Sequence, residues 1–325
     1  MMSKMLNICF MGNPKFAVQT LDVLYKEENI DVKLVVSSKD KKRSRNKVTP
    51  TPIKQYALDN DIPVDTPDSV NTEEFVNQLK DLEIDFIVVV AFGQLIGDLL
   101  LKEFKDRIIN LHPSILPKYR GAAPMQFTLL NGDTKTAPTT MLIEKGMDSG
   151  DILMQNIVDV DLKDDYYSLE EKMSDLGSQA IRDTLLNFDI VYQNRTKQDD
   201  DKATFTSKIS KEMGKIDWEK SSFEIYNQIR ALIDFPKAYF VYEGENVKVL
   251  EAEVLENYDS KPGYIYEADS KNNIIIGTGD GAIKINKLQF PGKKAMETKA
   301  FLMGNEFKKG IILDDWFRIK LWNSW

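Results

Sequence analysis

The stretch IDFIVVVAFG, residues 84–93, is a run of apolar residues with one charge near its start and a glycine at its end. Strands with one buried face alternate apolar and polar residues, whereas strands covered on both faces read as continuous apolar runs. Its uninterrupted part, FIVVVAF at 86–92, is far too short to span a membrane. The stretch therefore predicts a central strand of a parallel sheet.

Strand and helix patterns alternate on both sides of this run. Such alternation is typical of an open, doubly wound sheet with helices on both faces. We therefore predict a Rossmann-like α/β domain over residues 1–190. The other members of the series are strand patterns at 5–12, 32–38, 107–112 and 139–146, and helix patterns at 15–28, 51–61 and 72–83.

A polar segment separates this series from a different pattern. Residues 191–205 have almost no apolar content before Ala203 and predict a linker. Beyond it, Ser221 and Glu224 have the spacing of a helix capping box, and five short strand patterns separated by turn residues follow. Residues 206–325 are thus predicted to form a small C-terminal β-barrel domain of the oligonucleotide-binding (OB) type, with a tryptophan-rich tail.

The bulk composition bounds the class of protein. A chain of 325 residues exceeds the usual size of one hydrophobic core, so two domains are expected. The single cysteine, Cys9, excludes an internal disulfide and is predicted to be a small core residue. Because the N-terminus lacks a signal-peptide pattern and no heptad repeat is present, we expect a cytoplasmic monomer.

Charge is distributed unevenly along the chain. The net charge of −8 argues against nonspecific nucleic-acid binding, which normally accompanies a basic excess. Within the acidic first part, however, SSKDKKRSRNK at 37–47 carries six basic residues and one aspartate. This run is either a solvated loop or a loop that contacts phosphates.

Two common cofactor sites are disfavoured by the sequence. The GNPKFA stretch that follows the first strand pattern, at 12–17, lacks the second and third glycines of a dinucleotide fingerprint. One histidine and one cysteine cannot build a typical zinc site, and no metal site is predicted.

The only histidine lies in NLHPSILP, residues 110–117. Side chains two apart on a strand share a face, so Asn110 and His112 should point the same way at the strand's carboxyl end, where open α/β sheets bind ligands. An amide donor and an imidazole can stabilise an oxyanion and move a proton. The alternative is a structural histidine.

Asp148 follows the next strand pattern, between Gly146 and Gly150. A carboxylate held near His112 would favour the protonated imidazole. Ordinary turn chemistry is the competing interpretation of Asp148, and Asp151 is interpreted as structural.

NLHPSILPKYRGAAP at 110–124, followed by GMDSGDIL at 146–153, resembles the folate-dependent formyltransferases. The resemblance implies that Asn110, His112 and Asp148 form the catalytic trio and that 10-formyltetrahydrofolate is the co-substrate. It also implies a folate site lined by Ser114, Ile115, Leu116 and Pro117, with the backbone near Phe92 and Gly93 as a further candidate.

The second half narrows the acceptor that the resemblance implies. TFTSKISKEMGKIDW at 204–218 and PGKKAM at 291–296 resemble the members that formylate methionyl initiator tRNA. The family's loop after the second strand is usually glycine-rich with a key arginine, and here it has no glycine, so Arg43 or Arg45 takes that role. The predicted tRNA contacts are Lys42, Arg43, Arg45, Lys293 and Lys294.

Two other functions remain open at this point. One is a formyltransferase that acts on an amino-sugar nucleotide or on glycinamide ribonucleotide. The other is a noncatalytic module that binds folate or nucleic acid, which would need no catalytic trio.

Overall fold

The structure is a computed structural model, and it describes residues 5–42, 48–256, 258–259 and 261–313. Contacts divide the chain into two compact units. The first unit holds the chain up to Pro124 together with Lys135–Val160 and Leu169–Thr206. The second unit holds Met125–Thr134, Asp161–Ser168 and the chain from Ser207 onward.

Strands and helices alternate up to residue 206. In chain order they are β1 Leu6–Gly12, α1 Phe16–Tyr25, β2 Ile30–Val36, β3 Lys41–Lys42, β4 Val48–Thr49, α2 Pro52–Asp59, β5 Val64–Asp65, α3 Glu73–Asp81, β6 Phe86–Val90, α4 Asp98–Glu103, β7 Ile108–His112, β8 Arg120–Gly121, α5 Pro124–Leu130, β9 Lys135–Thr136, β10 Thr139–Leu142, β11 Ile152–Gln155, β12 Val158–Asp159, α6 Tyr166–Leu186, α7 Phe188–Gln193 and β13 Phe205–Thr206.

The first unit is built on a seven-stranded sheet with the order β11-β10-β7-β6-β1-β2-β5. Strand β6, from the apolar run at 84–93, is parallel to both β1 and β7, and all five of its residues are buried. The predicted central strand and the Rossmann-like α/β class are therefore confirmed.

One part of the sheet departs from a purely parallel arrangement. Strand β10 runs antiparallel to β7, with Thr139 opposite His112 and Leu142 opposite Ile109. Strand β10 is the second strand of the sheet, with β11 at the edge beyond it, and mixed sheets of this kind are common. Because β10 ends beside the start of β7, the loop from 143 to 151 has to fold back in order to bring a side chain to His112.

The predicted linker, residues 191–205, makes specific contacts within the first unit. Thr196 forms paired backbone hydrogen bonds with Ile152 at 2.8 and 2.9 Å. Strand β13 pairs in parallel with β8, so that Phe205 lies opposite Arg120. The polar side chains that indicated a linker can equally bind main-chain groups, and here they do so.

The second unit is an antiparallel β domain. The five predicted strands are confirmed and follow the order β14-β15-β18-β17-β16, with β19 paired to β18. The end strands of this order are not hydrogen-bonded to each other within the described residues, so this sheet is open at that point. Its elements are α8 Ser222–Ala231, β14 Ala238–Tyr242, β15 Glu245–Leu255, β16 Ile265–Asp269, β17 Asn273–Gly277, β18 Ala282–Gln289, β19 Met296–Glu297 and α9 Thr298–Leu302.

The core of the second unit lies under this sheet. Trp218 is 3% exposed and packs edge-on against Phe240, which in turn contacts Phe307. The capping box predicted from Ser221 and Glu224 is present at the start of α8. The tail at 314–325 lies outside the described residues. Among the residues that are described, no helix is both long and apolar enough to cross a membrane.

Candidate active site

Strand β7 presents Asn110 and His112 on one face. Leu111, between them, points to the opposite face, where α6 packs so closely that a Cβ on Gly177 would lie 2.8 Å from the Leu111 side chain. Because side chains alternate along a strand, Asn110 and His112 face away from α6. The predicted pairing on one face is therefore present at the carboxyl end of β7.

The His112 ring is held by a main-chain carbonyl. Its Nε2 lies 2.9 Å from the carbonyl oxygen of Tyr119, and His112 is 4% exposed. A carbonyl oxygen only accepts, so Nε2 is the donor in this contact. Tyr119 has φ of +64°, a left-handed conformation that turns the chain at this point. Nδ1 is thus the nitrogen left to exchange a proton.

The Asp148 carboxylate faces that nitrogen. Its Oδ2 lies 3.6 Å from His112 Nδ1 and accepts a hydrogen bond of 2.8 Å from the backbone N–H of Gly121. The distance of 3.6 Å is too long for a good hydrogen bond but short enough for strong attraction to an imidazolium. The structure therefore brings Asp148 to His112, as the sequence predicted.

The loop that carries Asp148 depends on backbone conformations that few residues tolerate. Gly146 and Asp148 have φ of +126° and +48°. A Cβ on Gly150 would lie 2.0 Å from the carbonyl oxygen of Leu142, so only glycine fits there. Asp151, interpreted as structural, forms an ion pair with Arg195 at 2.9 Å.

Asn110 is the member of the trio whose side chain is not engaged in hydrogen bonds in the described part of the chain. Its side chain is half-buried, and within the described residues its carboxamide makes no hydrogen bond. A half-buried amide can be satisfied by water and can exchange that water for a ligand. Asn110 can therefore donate to a group that binds beside His112.

The predicted folate residues divide into two groups. Ser114 and Leu116 are buried, and their main-chain carbonyls accept from Thr139 and Gln155 at 2.7 and 2.9 Å. Phe92 is also buried, with its side chain in the core beside β6. The accessible members are Ile115 and Pro117, which are half-buried, and Gly93, which is exposed with φ of +88°.

The predicted tRNA residues are described only in part. Arg43 and Arg45 lie outside the described residues, and Lys42 is described only as part of strand β3. Lys293 and Lys294 are exposed between β18 and β19 in the second unit.

Sequence reasoning missed one side chain of this site, Gln198. It lies in the predicted linker, is 5% exposed, and donates hydrogen bonds of 2.8 Å to the carbonyls of Asp148 and Gly150. No local pattern marks it, because a glutamine in a polar stretch is typical of a linker. No group of three or more metal-ligating side chains occurs in the described part of the chain.

Comparison with known proteins places this geometry in a family. Residues 4–185 match the formyl transferase family model, and residues 208–306 match the model of the formyl transferase C-terminal domain. The class defined by the fold and the site is therefore that of the formyl transferases.

Similar proteins narrow the class. The methionyl-tRNA formyltransferase of Finegoldia magna is 40% identical over 307 residues, which cover 94% of this chain and 99% of that protein. The methionyl-tRNA formyltransferase of Halothermothrix orenii is 39% identical over 313 residues, again with 94% and 99% coverage. The chain belongs to the methionyl-tRNA formyltransferase family, and the resemblance stated from its motifs is confirmed.

Solved structures support the same fold. WlaRD, a sugar 3N-formyl transferase solved in the presence of dTDP and 5-N-formyl-THF, superimposes with a TM-score of 0.64 at 25% identity, covering 90% of this chain and all of that one. An N-formyltransferase from Helicobacter canadensis, in complex with folinic acid and dTDP-3-aminofucose, gives a TM-score of 0.63 at 22% identity, covering 86% and 99%.

Proposed function

We propose that this enzyme transfers a formyl group from 10-formyltetrahydrofolate to the α-amine of methionyl initiator tRNA. The observation that carries the proposal is the trio at the end of β7. Asn110 and His112 share a face, and the Asp148 carboxylate lies 3.6 Å from His112 Nδ1. The donor and the acceptor are inferred from the family, whose relatives named above are methionyl-tRNA formyltransferases, and the trio suits that reaction.

The trio matches the charge and proton changes of the reaction. The amine nitrogen forms a bond to the formyl carbon, and the bond from that carbon to N10 breaks. Asn110 donates to the oxyanion that develops between these two events, as amide donors do in acyl transfer. His112 takes the proton that the amine loses and returns one to N10, while Asp148 stabilises the imidazolium.

The loops beside the trio fit a folate. Gly93 has open space above it, because an added Cβ would meet only Asn13 at 3.8 Å. Leu95, two residues further on, is 84% exposed and offers an apolar contact, as does the half-buried Ile115. A flat ring system with polar edges binds well where apolar side chains adjoin main-chain groups. In this role Pro117 and Gly93 contribute surface. The carbonyls of Ser114, Leu116 and Phe92 already accept hydrogen bonds within the protein, so these residues support the loops that carry that surface.

The acceptor is a polyanion, and the proposed contacts to it are basic. We assign catalysis to residues 1–190 and tRNA binding to 206–325, with Lys42, Arg43 and Arg45 of the first part and Lys293 and Lys294 of the second contacting phosphates. The protein is proposed to act as a monomer in the cytoplasm, where methionyl initiator tRNA is formed.

A second acceptor is an amino-sugar nucleotide. The structural similarity to WlaRD, a sugar formyl transferase, favours it. The identity of 40% to a methionyl-tRNA formyltransferase over nearly the whole chain, against 25% to WlaRD, favours tRNA.

One set of reactions tests the proposal. Purified protein is given 10-formyltetrahydrofolate with methionyl initiator tRNA, methionyl elongator tRNA or dTDP-3-aminofucose, and formyl product is measured. We expect product on the initiator tRNA, and a loss of about 100-fold or more in kcat for His112→Ala, because general acid–base groups contribute that much. Product on the sugar alone would overturn the tRNA assignment, and full activity of His112→Ala would overturn the mechanism.

A further inference from the structure

Gln198 contacts the catalytic loop in a way that only one orientation of its amide permits. Its Nε2 uses both protons, one to the carbonyl of Asp148 and one to that of Gly150, at 2.8 Å each. Its Oε1 accepts from Arg120 Nε at 2.9 Å. Carbonyls only accept and a guanidinium only donates, so the amide orientation is fixed by its partners.

The main chain of residues 119–121, which includes the hydrogen-bond partner of Gln198, anchors both His112 and Asp148. Arg120, bonded to Gln198, is 4% exposed and also pairs with Asp200 at 2.8 Å. The residue after it, Gly121, donates its backbone N–H to the Asp148 carboxylate, and the residue before it, Tyr119, accepts from His112. Asp148 therefore accepts two hydrogen bonds that hold it in place: Gly121 donates to its carboxylate and Gln198 donates to its main-chain carbonyl.

Asp148 needs such support because its backbone is unfavourable. At φ of +48° it occupies the left-handed region, which costs free energy unless neighbouring groups compensate. Without the hydrogen bonds from Gln198 to two carbonyls of the loop, the loop can relax and the Asp148 carboxylate can move away from His112 Nδ1. A shift of about 1 Å in a reacting group is enough to cost about 100-fold in rate.

We propose that Gln198 is a positioning residue of the reaction, which holds the Asp148 loop against His112 from a segment outside the family's catalytic motifs. The inference rests on the proposed function, since it assigns Gln198 a role through Asp148. Among the described residues, the side-chain hydrogen bonds of Gln198 go to Arg120 and to two main-chain carbonyls, and none goes to a side chain of the trio.

Three variants separate this role from simple stability. Gln198→Leu removes every hydrogen bond of the side chain at similar volume. Gln198→Glu keeps an acceptor for Arg120 but turns a carboxylate toward the two carbonyls. The matched control is Gln228→Leu in the second unit, where Gln228 is 8% exposed and its Nε2 also donates to two carbonyls, at 2.7 and 3.0 Å.

Two readouts are measured on full-length protein. The first is steady-state formylation of methionyl initiator tRNA. For both Gln198 variants we expect kcat to fall about 10- to 100-fold, while KM for the folate and KM for the tRNA each change less than about 2-fold. The second is the imidazole nitrogen spectrum of protein labelled with ¹⁵N-histidine. Because the chain has one histidine, its signals report His112 without assignment.

We expect the Nδ1 signal to shift in both Gln198 variants and to remain unchanged in Gln228→Leu, even if the melting temperatures fall equally. Unchanged kcat or an unchanged Nδ1 signal in the Gln198 variants would overturn the proposal. If Gln198→Leu does not fold, Gln198→Asn, which keeps both donors on a shorter side chain, takes its place with the same criteria. Failure of the proposed function would appear separately, as wild-type protein that does not formylate the tRNA.

Discussion

The orientation of His112 depends on main-chain groups more than on side chains. Tyr119 supplies a carbonyl to Nε2, and Gly121 supplies an N–H to the carboxylate that faces Nδ1. Each group is fixed by a left-handed backbone, at φ of +64° and +105°. Exchange of a proton therefore falls to Nδ1 and the Asp148 side.

Replacing Asp148 with asparagine tests that assignment. The introduced carboxamide would still accept from Gly121 but would carry no charge, so the imidazolium would lose its counter-ion. For Asp148→Asn we expect kcat to fall at least about 10-fold with folate affinity retained, since a charge-assisted contact is worth more than a neutral one. The control is Asp151→Asn, which removes a charge from the same loop but breaks only the ion pair with Arg195. Equal activities of the two variants in single-turnover formylation would contradict the role of Asp148.

Cys9 illustrates a residue whose chemistry is suppressed by the fold. It is 0% exposed in β1, so the prediction of a core residue is confirmed. Burial first, and the negative charge of Asp65 second, raise the pKa of the Cys9 thiol. The thiol therefore stays protonated in the folded protein at a pH where the unfolded chain ionises.

Stability is expected to fall with alkaline pH for this reason. Below the ordinary thiol pKa both states hold the proton and the site contributes no pH dependence. Above it only the unfolded state releases the proton, so stability is lost as pH rises, by up to about 1.4 kcal/mol per pH unit. Urea unfolding of wild type and Cys9→Ala between about pH 8 and 10.5 checks this, and parallel pH profiles would contradict it.

At the scale of elements, the sheet is predictable from the sequence and the return of the Asp148 loop is not. Continuous apolar runs such as 86–90 reveal a strand covered on both faces whatever its neighbours. The antiparallel direction of β10 cannot be recognised from its own residues, because all four are buried and such a pattern carries no direction. The resemblance of its motif assigns Asp148 to the site. The rule that ligands bind at the carboxyl ends of parallel strands does not by itself predict that the loop after β10 returns to His112.

The 191–205 segment shows the same limit. Its composition is that of a tether, yet Thr196 adds to the edge of β11 and Gln198 is buried against the Asp148 loop. Burial of polar side chains here depends on carbonyls contributed from residues 148 and 150. A reading confined to neighbouring residues cannot foresee partners about 50 positions away.

The shape of the β10–β11 loop predicts a strict requirement for glycine. Gly150→Ala would place a Cβ 2.0 Å from the Leu142 carbonyl oxygen, so the loop must shift. We expect a loss of about 1–3 kcal/mol in stability, as for overpacked sites, and a fall in kcat because Asp148 moves with the loop. The control is Gly304→Ala, where nothing lies within 4 Å of the added atom. Thermal unfolding and kcat are measured together, and wild-type values for Gly150→Ala would show that the loop adapts.

At the scale of the whole molecule, an acidic protein has to bind a polyanion. The net charge of −8 repels tRNA at long range, so binding requires local basic groups, and Lys293 and Lys294 are the ones proposed in the second unit. Both are exposed in the turn between β18 and β19. The sequence identifies Lys293, Lys294 and the basic run at 37–47, but charge alone does not distinguish a solvated lysine from one that contacts phosphate.

The salt dependence of tRNA binding distinguishes a lysine that contacts phosphate from a solvated one. Each phosphate contact releases counter-ions, so the logarithm of KM for tRNA should rise with the logarithm of salt concentration, and the slope should drop by about 1 for each contact removed. For the double variant Lys293→Ala and Lys294→Ala we expect a slope lower by about 2 and a higher KM for tRNA, with KM for the folate unchanged. The control removes two other exposed lysines of the second unit, Lys211 and Lys271, and so matches the change in net charge. If the slope falls equally in both double variants, the effect comes from the net charge of the molecule. Lys293 and Lys294 would then have no specific part in binding.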